Sequence, residues 1–218
     1  MPGDRLPALI DALSRHFRAR RMARCVAELG IGPETRVLDV GGTLDIWRLS
    51  PLRPRLVILN EPRAGEVARD GVPVVCANGC ALPFADGSFD VVFSNSVIEH
   101  LGDAESQVRF AAEVNRVGRA YWVQTPNRRY FLEPHLLTPF VHWLPRAWQA
   151  RVVGWGTVWE WIVRPSPDRR EYYLHHVLTS VPLLAAGDLS RLFPGAQIIR
   201  ERFLGWTKSL VAFRRAGE

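Results

Sequence analysis

Apolar residues along the chain fall into two rhythms. Leu6, Leu9, Ile10, Leu13 and Phe17, continued by Met22, Val26 and Leu29, recur at helical spacing and predict one or two amphipathic helices that stop at Gly30. Beyond Gly30 the pattern changes to short unbroken runs: Arg36–Val40 (RVLDV), Arg55–Leu59 (RLVIL), Val72–Cys76 (VPVVC), Phe89–Phe93 (FDVVF) and Ala120–Gln124 (AYWVQ). A helix is predicted over Ala104–Val117 and another over Leu183–Phe193. Ala196–Phe203 and Ser209–Phe213 read as closing strands, with Gly205 in the hairpin between them. Apolar runs that alternate with helical connections imply a parallel sheet covered on both faces.

From Thr125 to about Ser180 the rhythm dissolves into prolines, arginines and tryptophans. An insertion after the fifth strand lies at the carboxyl edge of an open α/β sheet, where such sheets bind ligands, so it is expected to cap a site. The chain thus divides into N-terminal helices (1–30), a core (31–125), the cap (126–180) and a closing helix with strands (181–218), all within one domain. The 218 residues, 47% of them hydrophobic, suffice for one sizeable core.

Composition narrows the classes. The opening segment lacks the apolar core of a signal peptide and no stretch has the roughly 18 apolar residues of a membrane span, so a cytoplasmic location is expected. Cys25, Cys76 and Cys80 are odd in number and widely spaced, which argues against a disulfide framework or a four-ligand zinc site. The net charge of +6 rests almost wholly on arginine, Lys208 being the sole lysine. It permits phosphate-rich partners without requiring them.

Four motifs occur in order: RVLDVGG, LVILNE, ANGCALPFADGSFDVVFSNSVIEHL and YWVQTPN. Together they resemble the class I S-adenosylmethionine-dependent methyltransferases of the methyltransferase type 11 group, strongly over about residues 30–125 and weakly over the last 35. The resemblance implies a doubly wound, Rossmann-like sheet of seven strands in the order 3-2-1-4-5-7-6, with strand 7 antiparallel. It also implies S-adenosyl-L-methionine as cofactor, with contacts from Asp39, Gly41, Gly42, Asn60, Glu61, Asn78, Gly79, Ser94 and Asn95.

Each position has a physical rationale. At Gly41 and Gly42 the backbone can approach a ligand closely, and the helix start beyond offers amides to a carboxylate. Asn60 or Glu61, ending the second strand, can grip ribose hydroxyls, the carboxylate being the stronger acceptor. Asn78 stands where the family usually places an aspartate that reads the adenine amino group, and its carbonyl can accept the same bond. Ser94 and Asn95 fall beside the sulfonium in the family layout. The turn departs from the usual pattern, since Thr43, Leu44 and Asp45 follow the two glycines with no third, and asparagine replaces two of the usual acids. GGTLDIW is nevertheless similar to a variant turn in a type 11 subgroup that also carries TPNR, EPH and HWLP, and this chain has TPNRRYFLEPH and VHWLP.

His100 and His135 are the candidate general bases, because an unperturbed imidazole exchanges its proton near neutrality, and Glu133 stands near His135 in sequence to orient its ring. Transfer to an already nucleophilic atom needs no base, since orientation can carry the acceleration. His175 and His176 are adjacent and point apart, so no metal site is expected. Tyr130, Glu133, His135, Trp143 and Trp159 are the candidate acceptor contacts. Trp143, Trp148, Trp155, Trp159 and Trp161 can line an apolar pocket, stack on a base, dip into a membrane surface or pack on the sheet. Arg128, Arg129, Arg164, Arg169 and Arg170 flank them and suit a phosphate or carboxylate, or form a solvated rim.

The expected function is methylation of oxygen or nitrogen on a small molecule or a glycan- or lipid-linked intermediate. RNA is the alternative acceptor, through Arg15, Arg18, Arg20, Arg21 and Arg24 on the first helix. A non-catalytic scaffold of the same fold is the reading from another class. A nicotinamide dehydrogenase is disfavoured, because GGTLDI does not supply G-x-G-x-x-G.

Overall fold

A computed structural model describes residues 5–61, 70–133, 138–168, 170–171 and 183–218. Seven strands form one sheet: β1 (Arg36–Val40), β2 (Arg55–Asn60), β3 (Val74–Cys76), β4 (Phe89–Asn95), β5 (Gly118–Pro126), β6 (Gln197–Phe203) and β7 (Trp206–Arg214). Numbered so, their order is β3-β2-β1-β4-β5-β7-β6. The first five are mutually parallel, and β7 runs antiparallel to β5 and to β6. The expected topology is therefore observed.

Period-2 alternation explains why the runs looked continuously apolar. Leu38, Val40, Val92, Tyr121 and Val123 point to one face with Phe110, Val114 and Phe193. Val37, Val91, Phe93 and Trp122 point to the other with Met22, Cys25 and Trp47. The first face is covered by α3 (Ala104–Val117), whose N-cap Asp103 accepts from Ser106 N at 2.6 Å. The second is covered by α1 (Arg5–Leu29) and by the single turn α2 (Leu44–Trp47).

The N-terminal segment is one helix, α1 (Arg5–Leu29). It ends where Gly30 takes φ +59 and Ile31 N donates back to Val26 O at 3.0 Å, a Schellman closure. Two predicted elements are shorter than expected. The continuous ladder of β3 starts only at Val74, because Pro73 accepts from Ile58 N at 3.0 Å but has no N–H to donate. The last helix, α6 (Ala186–Leu192), starts late because Asp188 accepts from Ala185 N at 2.9 Å and sets the cap there. Before it, the insertion holds a two-residue ladder, Leu132–Glu133 against Thr138–Pro139, then α4 (Arg146–Gly154) and α5 (Val158–Val163).

The β6–β7 hairpin turns through Leu204 and Gly205, both with positive φ, between the paired Phe203 and Trp206. Glu201 pairs with Ser209 but Arg202 pairs with Thr207, so Lys208 is the extra residue of a bulge.

Candidate functional site

The carboxyl end of β1 is where the glycine turn, β2 and β4 converge. Gly41 adopts φ +76, donates its N–H to Leu59 O at 2.7 Å, and lies so near Val97 that a Cβ would fall 2.5 Å from its Cγ2. Gly42 sits directly over the Asp39 carboxylate. Asn60 Nδ2 donates to Gly42 O at 3.0 Å, Ser94 Oγ to Val40 O at 3.0 Å, and Gly79 lies against Val40 and Phe110. Gly41, Gly42, Asn60, Gly79 and Ser94 are thus assembled around one strand end. Glu61 follows Asn60 and is exposed.

Asp39 and Ser94 lie beneath this turn, both with 0% exposure. Asp39 Oδ2 accepts from Trp47 Nε1 at 2.8 Å, while its Oδ1 is buried with no hydrogen-bond partner. Burial pushes the Asp39 carboxyl up to about 7, against the lowering effect of the Trp47 hydrogen bond. An unfolded aspartate releases its proton near pH 4, so between there and about 7 the native state holds the extra proton and stability falls as pH rises. Asp39→Asn keeps an acceptor for Trp47 and removes this slope. Relative to wild type it is expected to gain on the order of 4 kcal/mol between about pH 4 and about pH 8. Urea melts of both proteins across that range check it, and parallel stability curves would refute it.

Asn78 Oδ1 accepts from Cys80 N at 2.7 Å, which closes the loop after β3 and leaves its second lone pair for an amino group. Asn95 Oδ1 accepts from Arg21 at 2.5 Å. His100 ends the 3-10 turn Ile98–His100 beyond β4 and is exposed, whereas Glu99 is buried and accepts from Thr125 Oγ1 at 3.1 Å.

Sequence reasoning missed the role of Arg21. It is 6% exposed and grips Glu201 through Nε at 2.8 Å and a second nitrogen at 2.5 Å. It also donates to Asn95 and, at 3.2 Å, to Gln124 Oε1. Ser209 Oγ donates to Glu201 as well. Burial pushes the Glu201 carboxyl up, but the bonds and charge of Arg21, with Ser209 and Lys208, outweigh it and hold the group low. The bulge brings Lys208 Nζ to 3.7 Å from the Phe17 ring centroid, where burial and the charge of Arg21 push its pKa down to about 8. Glu201 opposes that shift. Of the five arginines read as an RNA-facing set, Arg21 is therefore buried, and Arg15 and Arg24 pair with Asp11 and Glu28 on their own helix.

In the cap, Tyr130 is 8% exposed and stacks on Phe131, with centroids 4.7 Å apart. Trp143 Nε1 and His142 Nε2 both meet Arg128 O, at 3.0 and 3.1 Å. With Arg129 and Trp206 they line a shallow cavity of about 550 Å³. The side chains of Glu133 and Trp159 and all of His135, Arg169, Tyr172, Tyr173, His175 and His176 lie outside the described residues. Among those described, no group of three metal-ligating side chains is placed to hold an ion, and no helix is long and apolar enough to cross a membrane.

Comparison with known proteins agrees with the fold. The methyltransferase domain family model matches residues 53–120. An uncharacterized methyltransferase of Mycobacterium sp. (strain JLS) is 41% identical over 73 residues, 31% of this chain and 29% of the relative. A probable S-adenosylmethionine-dependent methyltransferase of Mycobacterium tuberculosis (strain ATCC 25618 / H37Rv) is 47% identical over 60 residues, 28% of this chain and 22% of the relative. The chain thus spans less than a third of these curated relatives. Among solved structures, a Haloferax volcanii methyltransferase in complex with the Trm112 activator superposes with TM-score 0.53 at 14% identity, covering 94% of this chain and 92% of that one. A Thermotoga maritima methyltransferase described as a possible histamine N-methyltransferase gives 0.51 at 16%, covering 94% and 96%.

Proposed function

We propose that this chain, whose residues 53–120 match the methyltransferase domain family and whose fold is that of solved methyltransferases, uses S-adenosylmethionine to methylate oxygen or nitrogen on a small molecule or a glycan- or lipid-linked intermediate. The observation that carries the reading is the Gly41–Gly42 turn, held by Asn60 at the carboxyl edge of the sheet with the Glu61 carboxylate exposed beside it.

The residues present fit the cofactor. Val97 and Asp39 fill the places where a Cβ would stand at Gly41 and Gly42, so the turn stays closely packed over the end of β1, and Glu61 offers two acceptor oxygens to a ribose diol. Asn78, Gly79 and Asn95 border the same strand ends. S-adenosylmethionine supplies, when bound, an electrophilic methyl on a sulfonium. Asp39 and Ser94 support the turn from below, and Arg21 fixes Asn95 and Gln124 where the acceptor enters. Positioning of this kind is the protein's main contribution to an in-line transfer. Exposed His100 is the base candidate within the described site. Arg128 and Arg129, in the cavity with Trp143 and Trp206, favour an acceptor that carries phosphate or carboxylate.

Calorimetric titration with S-adenosylhomocysteine tests the reading. Saturable binding in the micromolar range, about 8 kcal/mol, is expected for wild type, with a loss of about tenfold or more in Glu61→Ala. A folded wild-type protein that binds neither cofactor nor product would overturn the enzyme reading and favour the scaffold.

A further inference from the structure

Nine of the eleven large apolar side chains that stand exposed among the described residues belong to the insertion or to the β6–β7 hairpin. Trp155 and Trp161 are 87% and 76% exposed, and Trp148, Trp143 and Trp206 are about half exposed or more. A concentration of solvated indoles marks an interaction surface, since each leaves a large apolar area in water.

Packing joins the two regions. Trp206 meets Phe131 edge-on at 5.7 Å, Phe131 lies 6.1 Å from Phe140, and Phe140 lies 5.2 Å from Trp143. Val158 N donates to Thr138 Oγ1 at 3.4 Å, which ties α5 to the ladder segment that leads into Phe140. The Trp161 indole nitrogen would be 3.4 Å from a Cβ at Gly156, so it stands at the α4–α5 turn that carries Trp155.

Charge separates the candidate occupants. Arg129, Arg151 and Arg164 are exposed in this stretch, as are Arg200 and Arg202 on the hairpin, and Arg128 is exposed but paired with Asp188 at 3.4 Å. Asp168 and Glu171 are the exposed acids described in the insertion, while Glu160 is turned inward to Thr157 N and Arg170. Protein–protein interfaces also gather tryptophan and arginine, so the residue types alone do not choose the occupant. The excess of positive charge does: it complements an anionic surface, and tryptophans interspersed with arginines match the boundary layer of a bilayer. There an indole sits at headgroup depth and a guanidinium meets lipid phosphate.

We propose that the cap and the β6–β7 hairpin seat this protein on an anionic membrane surface, with the exposed tryptophans at headgroup depth and the arginines on lipid phosphates. Docking is peripheral; its surface includes the Arg128, Arg129, Trp143 and Trp206 cavity proposed for the acceptor, and Trp155, Trp161, Arg151 and Arg164 lie outside that cavity and test docking by themselves. Its strength follows the apolar area inserted plus the attraction of anionic lipid, so salt weakens it.

Vesicle flotation tests it with the full chain and two compositions, phosphatidylcholine alone and phosphatidylcholine containing phosphatidylglycerol. The protein is expected to float with the anionic vesicles and its tryptophan emission to shift to the blue. Trp155→Ala/Trp161→Ala is expected to weaken partitioning about tenfold or more, and Arg151→Gln and Arg164→Gln about fivefold each. Near-UV circular dichroism establishes that the variants are folded. Wild type that stays with neither vesicle, or tryptophan variants that float unchanged, would overturn the proposal. So would a dimer in light scattering that the double variant dissociates, because the patch would then belong to a second copy.

Discussion

Arg21→Ala is expected to lower stability by about 3–5 kcal/mol, the cost of removing one partner from a buried ion pair. For a chain of this size that corresponds to a fall in Tm of roughly 6–20 °C. The deletion strands more than one group. Glu201 keeps its charge at 15% side-chain exposure with Ser209 still donating, and the Asn95 carbonyl loses the Arg21 donor, while Gln124 Oε1 keeps only Ser96 Oγ, at 3.0 Å. α1 also loses a tie to four strands, leaving the pair of Glu28 with Arg215, just beyond β7, at 2.5 Å as a remaining polar link.

A thermal melt of Arg21→Ala, Glu201→Gln and Arg21→Met/Glu201→Leu separates the causes. Glu201→Gln still accepts from Arg21 and is expected to be milder than Arg21→Ala. The double variant removes both charges and is expected to recover much of the loss, because neither partner is left buried alone. A Tm of Arg21→Ala within a degree or two of wild type would mean that the pair does not hold α1 on the sheet.

Arg21 also shows where the sequence was legible and where it was not. The strands could be read because a sheet buried on both faces makes every position of Arg36–Val40 or Phe89–Phe93 answer to packing, whichever way it points. Gly30, Gly41 and Gly205 punctuated correctly because each takes a positive φ that only a local turn demands. The partner of Arg21 is 180 residues away in Glu201, and no periodicity on α1 reports such a pairing. An arginine on a basic helix looks solvated until the strand that meets it is known. Lys208 is similar, since its direction depends on a bulge that a one-residue register shift creates. Around the site, the motifs located the turn but not the division of labour within it. Asp39, Ser94 and Glu61 each belong to one of those motifs, yet strand alternation and burial put the first two under the turn and leave Glu61 outside it. The insertion was legible only as composition, because its helices α4 and α5 span nine and six residues, too few for a helical period to stand out.

Gly42→Ala is expected to weaken S-adenosylhomocysteine binding by about 10- to 100-fold, the binding equivalent of about 1–3 kcal/mol of overpacking strain. The two glycines of the turn are required for different reasons. At Gly41 both the positive φ and the side chain of Val97 exclude a Cβ. At Gly42 the obstacle is space alone: an added Cβ would fall 1.7 Å from Asp39 Oδ2 and 2.0 Å from its Cγ. The carboxylate cannot step aside cheaply, because it is fully buried and holds the Trp47 indole. The turn must therefore move, and with it the carbonyl that Asn60 grips. Asp39→Ala opens the space, so the double variant Gly42→Ala/Asp39→Ala is expected to bind more tightly than Gly42→Ala alone. Gly102→Ala, with nothing within 4 Å of its Cβ, serves as the neutral control. Calorimetry on the four proteins reads the result. If Gly42→Ala binds as wild type does, the turn is not where the cofactor sits. If the double variant binds no better than the single, the collision with Asp39 is not what moves it.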